Sequence, residues 1–204
     1  MTTADDAPPR PADEARRRKL LDAAIGVFLR FGFRKASMDE VARAADVSRQ
    51  GLYLHFATKE ELFRAAVQHV LETSLETAAG NLADPALSIE KRLVGAFDAW
   101  VGRFVGTMGT GAADLGEASD TLVGPLVAQH EARFTEAVVK AMRTAGLVAA
   151  YKPAGLTARQ LTDTLSATAR GLKYACTSRP EFVERLSHAV RALCMPLRSA
   201  GETD

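Results

Sequence analysis

At four places in this 204-residue chain a Ser or Thr that can open a helix is followed three positions later by Glu or Gln: Ser37 with Glu40, Thr58 with Glu61, Thr157 with Gln160, and Ser178 with Glu181. At that spacing the hydroxyl accepts the free amide of the third helical residue, and the longer side chain reaches back to the N–H of the cap. Each pair therefore announces a helix start. Strand signals are nearly absent, with few alternating Val, Ile and Thr runs and no Asn-Gly turn. An all-α fold is expected. Start and stop signals place helices at 13–31, 38–45 and 49–55, then one from after Thr58 to a break at 81–85. Further helices are expected at 86–107, 112–118, 121–147, 157–177 and 180–197, about nine in all.

An apolar fraction of 47% beside 25% charge describes an ordinary globular chain. No apolar run approaches the roughly 18 residues of a membrane span. Residues 1–12 read as a disordered leader, because the N-terminus offers acids and prolines where a signal peptide has positive charge and an apolar stretch. Cys176 and Cys194 should lie a helix length apart, too far for a disulfide, and a cytoplasmic location fits. The net charge of +1 hides a basic surplus: residues 10–64 hold 12 Lys/Arg against 8 Asp/Glu.

Between positions 37 and 56 two short helices joined by a turn fit a helix-turn-helix. Val41 and Ala45 face one way on the first, Leu52 and Phe56 on the second, and Val47 plugs the angle between them. With Ser48 as N-cap and about 100° per residue, Arg49, Gln50, Tyr53 and Leu54 fall on the other faces. Those types suit a helix in the major groove of duplex DNA. Arg pairs with guanine, Gln with adenine, and Leu touches a thymine methyl. Gly51 weakens the helix by about 1 kcal/mol relative to Ala, a cost that fits close backbone approach to another molecule. Ser37, Tyr53, His55, Thr58 and Lys59 surround the unit as donors able to grip phosphates, which sets register without reading sequence. The same pattern also fits any small helical hairpin with a polar outside.

Residues 20–62, centred on FGFRKASMDEVARAADVSRQGLYLHFATKEELF, resemble the DNA-binding domain of the TetR family of bacterial transcriptional regulators. Gly32-Phe33, Ser37-Met38, Val41-Ala42, Val47-Ser48, Leu52-Tyr53, Phe56 and Lys59 to Phe63 occupy the family's places. The resemblance implies a DNA-binding domain over 13–60, with recognition helix Arg49–His55 and with Ser37, Tyr53, His55 and Lys59 on the DNA backbone. It further implies a helical effector-binding and dimerisation domain over 61–204. One departure is Asp46, where the family commonly has Gly. Asp tolerates a left-handed conformation at some cost, so the same turn, slightly strained, is expected.

In the body, Leu161, Leu165, Thr168 and Leu172 form one helical stripe, and Phe182, Leu186, Val190 (or Ala189) and Leu193 another. The pair suits packing on a second copy as a four-helix bundle, or equally the subunit's own core. We favour the dimer, because the family reading needs two recognition helices about 34–36 Å apart. Phe97, Trp100, Phe104 and Met108 form a third stripe. With Phe134, Met142, Tyr174 and Cys176 they are candidates to line a pocket for an apolar or aromatic ligand, with His130 as its polar anchor, although such a stripe also describes plain core.

Catalysis has little support. His55, His69, His130 and His188 lack metal-ligand spacing with either cysteine, no nucleophile elbow or phosphate loop occurs, and Asp114, Glu117 and Asp120 read as helix surface. No cofactor or metal is expected. The sequence thus points to a cytoplasmic homodimeric repressor on double-stranded operator DNA, released by a small-molecule effector. A DNA-binding regulator without such control is the alternative, and a helical enzyme the remoter one.

Overall fold

The computed structural model describes residues 11–107 and 112–201, and among them every regular element is helical. The order is α1 (Pro11–Phe31), α2 (Met38–Ala45), α3 (Arg49–His55), α4 (Lys59–Ala83), α5 (Ile89–Trp100), α6 (Ala112–Thr144), α7 (Leu147–Ala150), α8 (Ala158–Ala175) and α9 (Arg179–Gly201). Single 3-10 turns occupy Gly102–Phe104 and Lys152–Ala154. Of the expected leader, Pro11 and Ala12 open α1, and residues 1–10 lie outside the described residues, as does Met108.

The caps behave as hydrogen-bond chemistry requires. Ser37 and Thr157 form complete reciprocal boxes with Glu40 and Gln160. At the other two sites the acid reaches one residue further back. The hydroxyls of Thr58 and Ser178 accept the N–H of Glu61 and Glu181, whose carboxylates accept the N–H of Ala57 and Thr177, both at 2.9 Å. The free amides are satisfied either way.

Packing divides the chain into two compact units, Met1–Val70 with Gly109–Gly124, and Leu71–Met108 with Pro125–Asp204. The expected boundary at residue 60 therefore moves. The first turns of α4 place Leu62, Phe63 and Ala66 in the first unit's core, fully buried. There Phe28 meets Phe63 edge to face at 5.0 Å and stacks against Phe33 at 6.0 Å. Arg34, in the loop after α1, is gripped by Asp114 at 3.2 Å and Glu117 at 2.7 Å, both on α6. That grip explains why the start of α6 belongs with this unit, and it gives two acids expected to be mere surface a structural task.

The second unit's core gathers Leu93 and Phe97 of α5, Phe134, Val138 and Met142 of α6, Leu165 of α8, and Phe182, Leu186 and Val190 of α9. A bidentate bridge from Arg179 to Asp98, both contacts at 2.8 Å, pins α9 to α5. Two sequence expectations change. Helix α5 stops at Trp100 instead of 107, and Gly102 follows because a Cβ there would come within 2.8 Å of the Phe182 ring. The separate helices at 112–118 and 121–147 are one, α6, running through Pro125. Proline removes one ladder bond, but buried contacts from Leu115 and Val123 before it and Phe134 and Val138 after it keep the helix going.

Candidate nucleic-acid interface and an aromatic cavity

The turn between α2 and α3 is made by Asp46, left-handed at φ 56°, ψ 45°. Its N–H donates to the Arg43 carbonyl at 3.3 Å, and that of Val47 to the Ala42 carbonyl at 3.0 Å, closing the end of α2. Ser48 then caps α3 by accepting the Gly51 amide at 3.0 Å. Val41, Ala42 and Ala45 of α2 are buried, as are Leu52 and Phe56. With those positions occupied, Arg49, Gln50, Tyr53, Leu54 and His55 are left exposed. Leu54 is 81% exposed. An aliphatic side chain so placed on a rigid helix has no internal partner, and contact with a base methyl would give it one.

Arg49 is already oriented. Its guanidinium bonds Asp39 at 3.1 Å and lies 5.6 Å from the Tyr53 ring centre. Held from two sides, the fork loses little entropy on meeting a base edge. Gly51 has a nearer explanation than approach to DNA, because a Cβ there would sit 3.1 Å from the Ser48 hydroxyl and crowd the cap.

Two expected phosphate donors are spent internally. The Lys59 ammonium donates to the carbonyls of Phe33, Arg34 and Ala36 at 2.9, 3.3 and 3.1 Å and lies over the Phe33 ring. All three of its hydrogens are thereby engaged, holding the chain between α1 and α2. The Ser37 hydroxyl donates to Glu40, and this bond, followed by that from the Ser37 amide, holds the Glu40 carboxyl below its ordinary range. Ser48 and Thr58 use their oxygens as caps.

The structure adds Arg16 and Arg17. With Ser48, Gly51 and His55 they line an open cleft of about 400 Å³ beside the start of α3. Arg17 also stacks on Phe56. The run Arg16-Arg17-Arg18-Lys19 was the signal in the sequence, but only folding shows which members lie beside α3.

In the second unit, Phe97, Trp100, Phe104 and Phe134 line a cavity of about 200 Å³, together with Val127, Glu131, Thr135, Ser166, Arg170 and Lys173. The remaining expected lining residues lie elsewhere. Met142 is fully buried core, Cys176 is also core, and Tyr174 is 79% exposed. His130 is buried but does not line the cavity. Its Nδ1 bonds the Leu126 carbonyl at 2.9 Å, and its Nε2 has no partner. The polar groups that do line it were missed, because charged residues on an amphipathic helix give no sign of which cavity they border.

The proposed dimer stripes are also relocated. Leu161, Leu165, Phe182, Leu186 and Val190 are buried within the protomer, and Leu172 and Leu193 pack on the same core. Thr168 turns its hydroxyl to the Thr164 carbonyl. Among the described residues no group of three or more His, Cys, Asp or Glu is arranged to hold a metal. No described helix is long and apolar enough to cross a membrane.

A helix-turn-helix with an exposed polar reading face, in a chain that also carries a larger helical unit, defines a class of DNA-reading proteins. A family profile described as bacterial regulatory proteins of the TetR family matches residues 20–66. Residues 20–66 thus carry the sequence pattern of a TetR-family DNA-binding region. Over 58 residues it is 50% identical to the transcriptional activator FasR of Mycolicibacterium smegmatis, a match spanning 28% of this chain and 26% of that protein. The curated relatives it matches are thus covered over only about a quarter to a third of their length in the first examples. Solved structures extend the likeness in fold. A TetR-like regulator from Rhodococcus sp. RHA1 is similar with a TM-score of 0.57 and 25% identity, over 96% of this chain and 99% of that one. A regulator from Saccharomonospora viridis, solved with choline, gives a TM-score of 0.63 at 18% identity, over 88% of this chain and 96% of that one.

Proposed function

We propose that this protein is a sequence-specific, double-stranded DNA-binding transcriptional regulator, cytoplasmic and without catalytic activity, and that it acts as a homodimeric repressor released by a small ligand. The exposed row Arg49, Gln50, Tyr53 and Leu54 on a helix whose other side is packed carries the reading. The cavity supports ligand control. One helix, α6, contributes Glu131 and Phe134 to the cavity and Asp114 and Glu117 to the grip on Arg34. A ligand that prefers one setting of α6 would bias the reading unit only by its difference in affinity for the two settings.

For dimerisation, the faces of α8 and α9 turned from the core offer exposed positions: Thr164, Ala167, Gly171 and Tyr174 on α8, and His188, Ala192 and Met195 on α9. Tyr174 and Met195, 79% and 59% exposed, are the large side chains that a second copy would cover.

Electrophoretic retardation of duplexes from upstream of its own gene, at low salt, tests the reading. A saturable shift with chosen sequences is expected; failure to retard any duplex would refute it. The activator name of the FasR relative raises a second sign of control. A reporter behind the bound sequence separates them, since deletion of the gene raises output for a repressor and lowers it for an activator.

A further inference from the structure

We propose that the cavity of the second unit is built for a small monocarboxylate with a flat aromatic body, and that Lys173 is the group that holds its carboxylate. The inference rests on the ligand-controlled reading above and names the ligand's chemistry.

Trp100 lies parallel to Phe134, with rings 4.9 Å apart at 9°, and Phe97 meets Phe134 edge-on at 5.0 Å. Flat ring faces of this kind favour a flat, polarisable guest. The volume of about 200 Å³ falls below the roughly 300–1,000 Å³ of drug-sized sites. It suits one ring with a short chain.

The charges on the lining decide the sign of the guest. Glu131 and Arg170 bond each other at 3.0 Å and neutralise one another. Arg103, stacked on Phe104, is outside the lining and bonds the Ser74 hydroxyl at 2.9 Å. Lys173 remains. Its ammonium lies 5.5 Å from the Phe104 ring centre and 5.6 Å from that of Tyr174, and no carboxylate among the described residues pairs with it. Burial pulls its pKa below 10.5, the mark of a cation short of solvent and of a counter-ion. An arriving carboxylate would supply that counter-ion in a half-desolvated site, where a charge-assisted hydrogen bond is strong. Lysine offers a compact point of charge, without the flat fork that matches a phosphate edge. A single unpaired lysine therefore selects a monoanion. A cationic guest would meet like charge.

Trp100 is the chain's only tryptophan and lines the cavity, so its emission reports occupancy directly. The probes are benzoate and phenylacetate, their neutral amides, and benzyltrimethylammonium, titrated into the full chain. The acids should bind about tenfold or more tighter than the amides, the gain of one charge-assisted contact. Lys173→Met should erase that preference, and Lys173→Arg should restore part of it. Amides binding as tightly as acids, the ammonium binding tightest, or no probe altering the emission would each overturn the proposal. So would a folded Lys173→Met chain that keeps the preference; the wild-type comparison of acid with amide stands even if that variant does not fold. Operator retardation measured alongside separates the two readings. Lys173-dependent binding of acids without release from DNA supports this inference and contradicts ligand control. Retardation without acid binding overturns this inference and leaves the DNA-binding reading standing.

Discussion

Arg49 and Lys59 carry the same charge ten residues apart, yet their surroundings assign them opposite work. Arg49 is exposed, oriented by Asp39 and Tyr53, and retains donors for a base edge. Arg49→Ala should lower affinity by about 1–3 kcal/mol and relax preference at one base position, read by retardation across single-base operator variants. Lys59 has every hydrogen on a carbonyl of the chain between α1 and α2. Lys59→Met should therefore destabilise the fold by about 1–3 kcal/mol, seen as a lower denaturation midpoint, while the salt dependence of DNA binding keeps its slope. Arg16 and Arg17 are better placed to meet phosphates. Replacing both with Ala should weaken all sequences alike and reduce the slope of log affinity against log salt by about 0.9 for each phosphate no longer neutralised.

At the level of elements, helix starts were legible because a capping box is local chemistry: a hydroxyl, three residues and an acid. Ends were harder to see. Just past the end of α5 at Trp100, Gly102 leaves room for Phe182, distant in sequence, and the continuation of α6 through Pro125 depends on packing along its length. The turn after α2 is an intermediate case. Asp46 adopts the left-handed conformation that a glycine would take without strain. Asp46→Gly relieves that strain but raises the entropy of the unfolded chain. The net effect should be a gain of at most about 1 kcal/mol in a denaturant titration, with DNA affinity unchanged, since the Asp46 side chain is not part of the row that reads bases.

For the whole molecule, the two faces of α8 make separable predictions. Leu165 is buried within the protomer, so Leu165→Ala should cost about 2–5 kcal/mol of stability at any protein concentration. Gly171 looks onto open space, where an added Cβ would meet nothing within 4 Å. Gly171→Arg should leave the protomer's fold intact and yet break a dimer formed through this face, which sedimentation would show as a halved mass. By itself the sequence determined the helical class, the positions of the caps, the helix-turn-helix and its outward row, because each is set by neighbours within a few residues. The tertiary structure alone decided that the leucine stripes of α8 and α9 serve their own core, that Lys59 is bound by carbonyls, and that Lys173 instead of His130 borders the cavity. A periodic pattern states that a face is apolar or a residue charged. Which surface or counter-charge it meets depends on contacts between segments far apart in the chain, and these exist only once it has folded.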